Sequence, residues 1–100
     1  MKKIQKEVDT WINKYAIKYW DPHSMTLRLM EEVGEFARES NHIYGPKKKK
    51  STESKKEISD EIGDLIFTIT CIANSLDIDL DKTFKKTMKK LNTRDKDRYT

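Results

Sequence analysis

An all-α fold is predicted for this chain: a four-helix-bundle-type protomer completed by oligomerisation. Three observations predict it. Apolar residues recur at three- and four-residue spacing through four stretches of the 100 residues, which is the period of a helix face. Three Gly and two Pro supply too few turns for a β-sandwich. Hydrophobic residues make up 35% of the chain and charged residues 38%. A single domain over residues 1–100 therefore has little apolar material of its own, and association of copies is a way to bury more.

The first helix is expected over residues 2–19, where Ile4, Val8, Trp11, Ile12, Tyr15 and Tyr19 share one face. Trp20 follows it, either as a packing residue or as a ring that stacks on a flat ligand. Asp21 and Pro22 read as N-cap and first residue of a second helix over 22–44. Met25, Leu29, Val33, Phe36 and Ala37 form its apolar face, and Arg28, Glu32, Glu35 and Glu39 run beside it as a polar column. Gly34 costs about 1 kcal/mol against Ala in a helix interior, which a close approach by another helix would justify. A lysine-rich loop spans 45–53, opened by the Gly45-Pro46 stop signal.

A third helix over 54–76 starts with Ser54 and Glu57 in capping-box register. Its face of Ile58, Ile62, Leu65, Ile66, Ile69, Ile72, Ala73 and Leu76 is broad, which marks it as the central helix. β-branched residues are frequent from Ile62 to Ile72, but length and period favour helix over strand. Asp79 is the expected N-cap of a fourth helix over 80–92, with Leu80, Phe84, Met88 and Leu91 facing inward. Its lysines complement the helix dipole near the C-terminus. Residues 93–100 form a polar, irregular tail.

Two acidic signatures organise the middle of the chain: Glu31-Glu32-Val33-Gly34-Glu35 and Glu61-Ile62-Gly63-Asp64. Residues three apart are neighbours on a helix, so Glu32 and Glu35 share one face and Glu61 and Asp64 another. Glu32 lies in line with Leu29 and Phe36, and Glu61 with Ile58 and Leu65. A carboxylate beside a packing stripe loses hydration unless something compensates it. Packed side by side, the two helices would gather four carboxylates, an all-oxygen set suited to a hard cation such as Mg²⁺. The competing reading is that these are ordinary helix-forming glutamates on the surface.

The rest of the composition narrows the classes. Cys71 is the single cysteine, so there is no internal disulfide, as expected in a reducing cytoplasm. The first residues have no apolar core of a signal peptide, and no run approaches a membrane span. His23 and His42 lack partners at metal-ligand spacing and read as surface residues. The net charge of +4, with lysines concentrated at 47–50, 55–56 and 82–96, suits a polyanion or a nucleotide's phosphates. A non-catalytic nucleic-acid binder using the loop and fourth helix is therefore the alternative to an enzyme. It would leave the aligned carboxylates without a purpose. A purely structural oligomerising bundle is a third class.

The pattern Glu31-Glu32-x-x-Glu35 followed by Glu61-x-x-Asp64 resembles the EExxE…ExxD signature of the MazG-like, all-α nucleoside triphosphate pyrophosphohydrolases. The resemblance covers nearly the whole chain, including Trp20-Asp21-Pro22, residues 41–45 and 73–78, and the ending 92–98. It is nearest to the short single-domain members known from bacilli. It implies an Mg²⁺-dependent enzyme, with Mn²⁺ a possible substitute, that cleaves an NTP or dNTP to the monophosphate and pyrophosphate, including non-standard nucleotides. It also implies a homodimer or homotetramer. By position, Glu32, Glu35, Glu61 and Asp64 would be metal ligands, and Glu31 matches the motif's first acid. Lys90, Arg94 and Arg98 match a basic region that contacts substrate. Trp20, Phe36 and Asn74 are candidates for the base pocket.

Overall fold

The structure is a computed structural model that describes residues 1–16, 18–45 and 51–94, with 51–56 described as backbone only. Lys47, Lys48, Lys49 and Lys50, the side chains of Lys55 and Lys56, Arg98 and the end of the expected tail lie outside the described residues. The fold is all-α, with four helices: α1 (Lys2–Trp11), α2 (Pro22–Tyr44), α3 (Ser51–Ser75) and α4 (Leu80–Arg94). A π turn, Ile12–Ala16, continues α1.

α2 begins as its sequence requires. The Asp21 carboxylate accepts the Ser24 backbone N–H at 3.0 Å, with Pro22 at the first helical position. Twenty-three residues of helix are about 35 Å long, and the seven-bond step from Tyr44 to Ser51 reaches only about 24 Å. α3 therefore has to return antiparallel along α2, and this is the principal helix contact of the fold. α3 starts at Ser51 and not near Ser54, so Ser54 lies inside the helix and the expected capping box does not form its entry. The last three residues of the expected 45–53 loop are helical.

The end of α3 is a Schellman turn. Ile78 N–H donates to Ala73 O at 2.8 Å and Asp77 N–H to Asn74 O at 3.2 Å, with Asp77 at φ 58°. That left-handed conformation favours glycine. Asp77→Gly is expected to raise stability by up to about 1 kcal/mol, seen as a higher midpoint in urea with an unchanged slope. The Asp79 carboxylate then accepts the backbone N–H of Asp81 at 2.9 Å and of Lys82 at 3.2 Å, capping α4 as expected.

The core is small. Val8, Ile12, Met25 and Cys71 are buried together, with Tyr19 and Ile72 packed against them. Three expectations change here. The first helix does not run regularly to Tyr19: it widens at Ile12, ends at Ala16, and leaves Tyr19 in the connection to α2. α4 packs chiefly on α1, so it buries no residue, and Phe84 is 62% exposed where an inward position was expected. The broad face of α3 is only partly covered, with Ile62, Ile66, Ile69 and Leu76 exposed. Among the described residues no close helix approach explains Gly34 or Gly63, because a Cβ at either would meet nothing within 4 Å.

Candidate active site

The antiparallel pairing of α2 and α3 brings the two acidic signatures together. One carboxylate oxygen each from Glu32, Glu61 and Asp64 lies within 4.8 Å of the others. Glu32 is 3% exposed, Glu61 is half-buried and Asp64 faces solvent, so the cluster is walled on one side and open on the other. Burial first, and then the charges of Glu35, Asp64 and Glu32 with a hydrogen bond to Glu35, push the Glu61 carboxyl above its usual range. Glu35 is thus beside Glu61 but outside the close group of three. Glu31 is further out, with a largely exposed side chain 3.6 Å from Arg28 Nη1.

Arg28 is a cation paired with the cluster among the described residues. Its Nη2 lies 2.9 Å from Glu32 Oε1, one helical turn away. This satisfies one oxygen of Glu32 only. Glu32 Oε2 and Glu61 Oε2 are both buried without a hydrogen-bond donor. Two orphaned carboxylate oxygens in an all-oxygen group are costly as they stand, and they fit a hard divalent cation. His42 is half-buried instead of at the surface, with Nδ1 3.8 Å from the buried Glu39.

A cavity of about 390 Å³ opens against Glu32 and Asp64. Its walls are aromatic and apolar, with Trp11, Tyr19, Trp20, Met25 and Phe67 the main side chains, and Arg28 at the acidic end. Trp11 stands edge-on to Phe67 with ring centroids 5.8 Å apart, and Trp20 is 63% exposed. A volume in the range of small-molecule sites, aromatic faces and a carboxylate cluster at one end suit a flat ring carrying a phosphate chain.

The other expected contacts divide. Trp20 lines the cavity, and Phe36 and Asn74 do not. The Asn74 amide instead donates to the Tyr19 hydroxyl and to Gln5 O, both at 2.9 Å. Lys90 and Arg94 sit on α4, which contributes no residue to the cavity. The sequence placed Trp11 and Tyr19 on the packing face of the first helix, singled out no role for Phe67, and gave Arg28 only a place in the polar column. The usable signal for Arg28 was its position one turn before Glu32, and for Trp11 and Tyr19 the concentration of aromatic residues in the segment that leads to Trp20; Phe67 on α3 carried no such signal.

Comparison with known proteins agrees with this geometry. Residues 20–99 match the MazG nucleotide pyrophosphohydrolase domain. The chain is 53% identical over 100 residues to YpjD of Bacillus subtilis strain 168, covering all of this chain and 90% of that protein. The crystal structure of YPJD from Bacillus subtilis superposes with a TM-score of 0.84 at 50% identity, over 92% of this chain and 94% of that one. The crystal structure of a Bacillus-conserved MazG protein, a nucleotide pyrophosphohydrolase, gives 0.80 at 46% identity, over 96% and 93%. The chain therefore belongs to the MazG nucleotide pyrophosphohydrolase family, and it is an enzyme of that hydrolase class.

Proposed function

We propose that the enzyme is an Mg²⁺-dependent nucleoside triphosphate pyrophosphohydrolase, converting an NTP or dNTP to the monophosphate and pyrophosphate, with non-standard nucleotides among its substrates. The observation that carries this is the junction of an aromatic cavity with three carboxylate oxygens lying within 4.8 Å of one another. Glu32, Glu61 and Asp64 would hold the cation, with Glu35 completing the set from beside Glu61. Mn²⁺ suits the same oxygen donors. The bound cation would supply charge neutralisation at the phosphate oxygens and a more acidic water.

The chain's own groups account for the rest. Phosphoryl transfer depends on alignment and charge compensation more than on a protein nucleophile. Trp20 and Trp11 offer faces to the base, and Arg28 puts a positive charge where the cavity meets the carboxylates. Glu35, whose charge acts on Glu61, would take the proton of the attacking water. Lys90 and Arg94, with Arg98, are assigned to the leaving pyrophosphate. They lie on or beyond α4, so they would serve a cavity built with a second copy. The exposed apolar faces of α3 and α4 support a homodimer or homotetramer on the same ground. Among the described residues no helix is long and apolar enough to cross a membrane, and the free Cys71 fits a cytoplasmic enzyme.

The test is pyrophosphate release from ribo-, deoxyribo- and modified nucleoside triphosphates, with and without Mg²⁺. Mg²⁺-dependent release with the monophosphate as co-product is expected. Polyanion binding that weakens steeply with salt, without Mg²⁺-dependent turnover, would instead favour the nucleic-acid-binding reading.

A further inference from the structure

Two of the aromatic residues that line the cavity, Tyr19 and Trp20, stand outside any helix. Between the π turn and Asp21, Lys18 N–H donates to Ala16 O at 2.8 Å, and Tyr19 and Trp20 belong to no helix. Tyr19 packs against the core cluster of Val8, Ile12, Met25 and Cys71 while also lining the cavity. Its hydroxyl donates to Asp9 Oδ1 at 2.8 Å and accepts Asn74 Nδ2 at 2.9 Å.

That hydroxyl is the end of a closed network. Asn74 Nδ2 also donates to Gln5 O at 2.9 Å, and Asn74 Oδ1 accepts Gln5 Nε2 at 2.9 Å. Gln5 Nε2 donates to Ile78 O at 2.8 Å, and Gln5 Oε1 accepts Leu80 N–H at 2.9 Å. Both amide donors of each carboxamide are used, so the orientation of each is fixed by its partners. α1, the end of α3 and the start of α4 all hold the network in place. Tyr19 is its one member that lines the cavity. The phenol, pushed up to about 12 mainly by burial and by the Asp9 hydrogen bond, keeps its proton and continues to donate.

We infer that Asp9 and Asn74 are positioning residues for substrate binding, which clamp the Tyr19 hydroxyl so that Tyr19 and Trp20 form a preset wall for the nucleobase. This rests on the cavity being the nucleoside site. A wall ordered before binding spares the ligand the entropic cost of ordering it. The clamp makes no hydrogen bond to the carboxylate cluster, so its loss acts on binding and not on the chemical step.

The chain's two tryptophans, Trp11 and Trp20, both line the cavity, so intrinsic fluorescence reports its occupancy without metal or turnover. The four 2′-deoxynucleoside 5′-monophosphates are titrated against wild type, Tyr19→Phe and Asp9→Asn, and triphosphate kinetics are measured alongside. Tyr19→Phe is expected to weaken monophosphate binding about 3–10-fold and to raise KM by a similar factor, with kcat changed less than about twofold. Asp9→Asn, which retains a hydrogen-bonding group, is expected to fall between Tyr19→Phe and wild type. A Tyr19→Phe protein that melts earlier but binds and turns over as wild type overturns the inference and leaves a structural staple. So does a loss confined to kcat. Wild type that no monophosphate quenches would overturn the nucleoside-site reading as well, which separates the two failures.

Discussion

Glu61→Gln is expected to lower the rate of pyrophosphate release by roughly 10²–10⁴-fold while the helical fold survives. Glu61 is the member of the cluster that residues of both signatures press upon, with Glu35, Asp64 and Glu32 all raising its proton affinity. The amide keeps the shape of the side chain and removes the charge. In the metal-free protein the fold is expected to gain, since like charges in one place oppose compaction. The sign follows from linkage. A carboxyl whose folded pKa is raised is best tolerated protonated, so wild-type stability falls as pH rises from 4.5, its ordinary value, through the raised one. At pH 7 metal-free Glu61→Gln should therefore melt above wild type, and the gap should close on acidification below the ordinary value. Millimolar Mg²⁺ should raise the melting temperature of wild type more than that of the variant. Equal pyrophosphate release by the two proteins would sink the assignment of Glu61 to the site.

Arg28→Ala carries the second large effect. Glu32 is buried at 3% exposure and Arg28 Nη2 is its 2.9 Å counter-charge. Removing one partner of a buried pair commonly costs 3–5 kcal/mol. The Arg28 side chain is 51% exposed, so solvent screening reduces this to roughly 1–3 kcal/mol. Mg²⁺ is expected to restore most of the loss, because it supplies the missing positive charge to the same carboxylate. Chemical denaturation with and without Mg²⁺ checks both halves. A loss of stability indifferent to Mg²⁺ would mean that Arg28 serves packing alone. On the activity side, the same variant should show a raised KM for the triphosphate.

What the sequence made legible follows a physical division. The Asp21-Pro22 entry and the Asp79 cap are local, and each was found where it was expected. The two carboxylate pairs were legible because helix spacing fixes which residues share a face, and antiparallel packing then brings Glu32 to Glu61 and Asp64. The uncovered faces of α3 and α4 were not legible. Apolar spacing says that a face of Phe84, Met88 and Leu91 wants to be buried, and it is silent on whether this chain or another covers it. Arg28 was overlooked because its importance lies in the burial of Glu32, a property of the packed pair. Asn74 was expected at the base. It acts on Tyr19 instead, because a hydrogen bond spanning 55 positions of chain leaves no periodic trace.

The widened turn at Ile12–Ala16 gives the cavity an unusual dependence on chain length. A π turn amounts to one residue inserted into an α-helix, and one residue turns everything after it by about 100°. The regular repeat of Ile4, Val8, Trp11 and Ile12 would have carried Tyr19 along the same face. The extra residue breaks that phase, and Tyr19 reaches back to Asp9 from outside the helix. The position of Tyr19 in the aromatic wall thus depends on the number of residues before it as well as on their identity. Among relatives that share these aromatic residues, base preference is expected to follow insertions and deletions between Trp11 and Asp21 more closely than exchanges of side chains there.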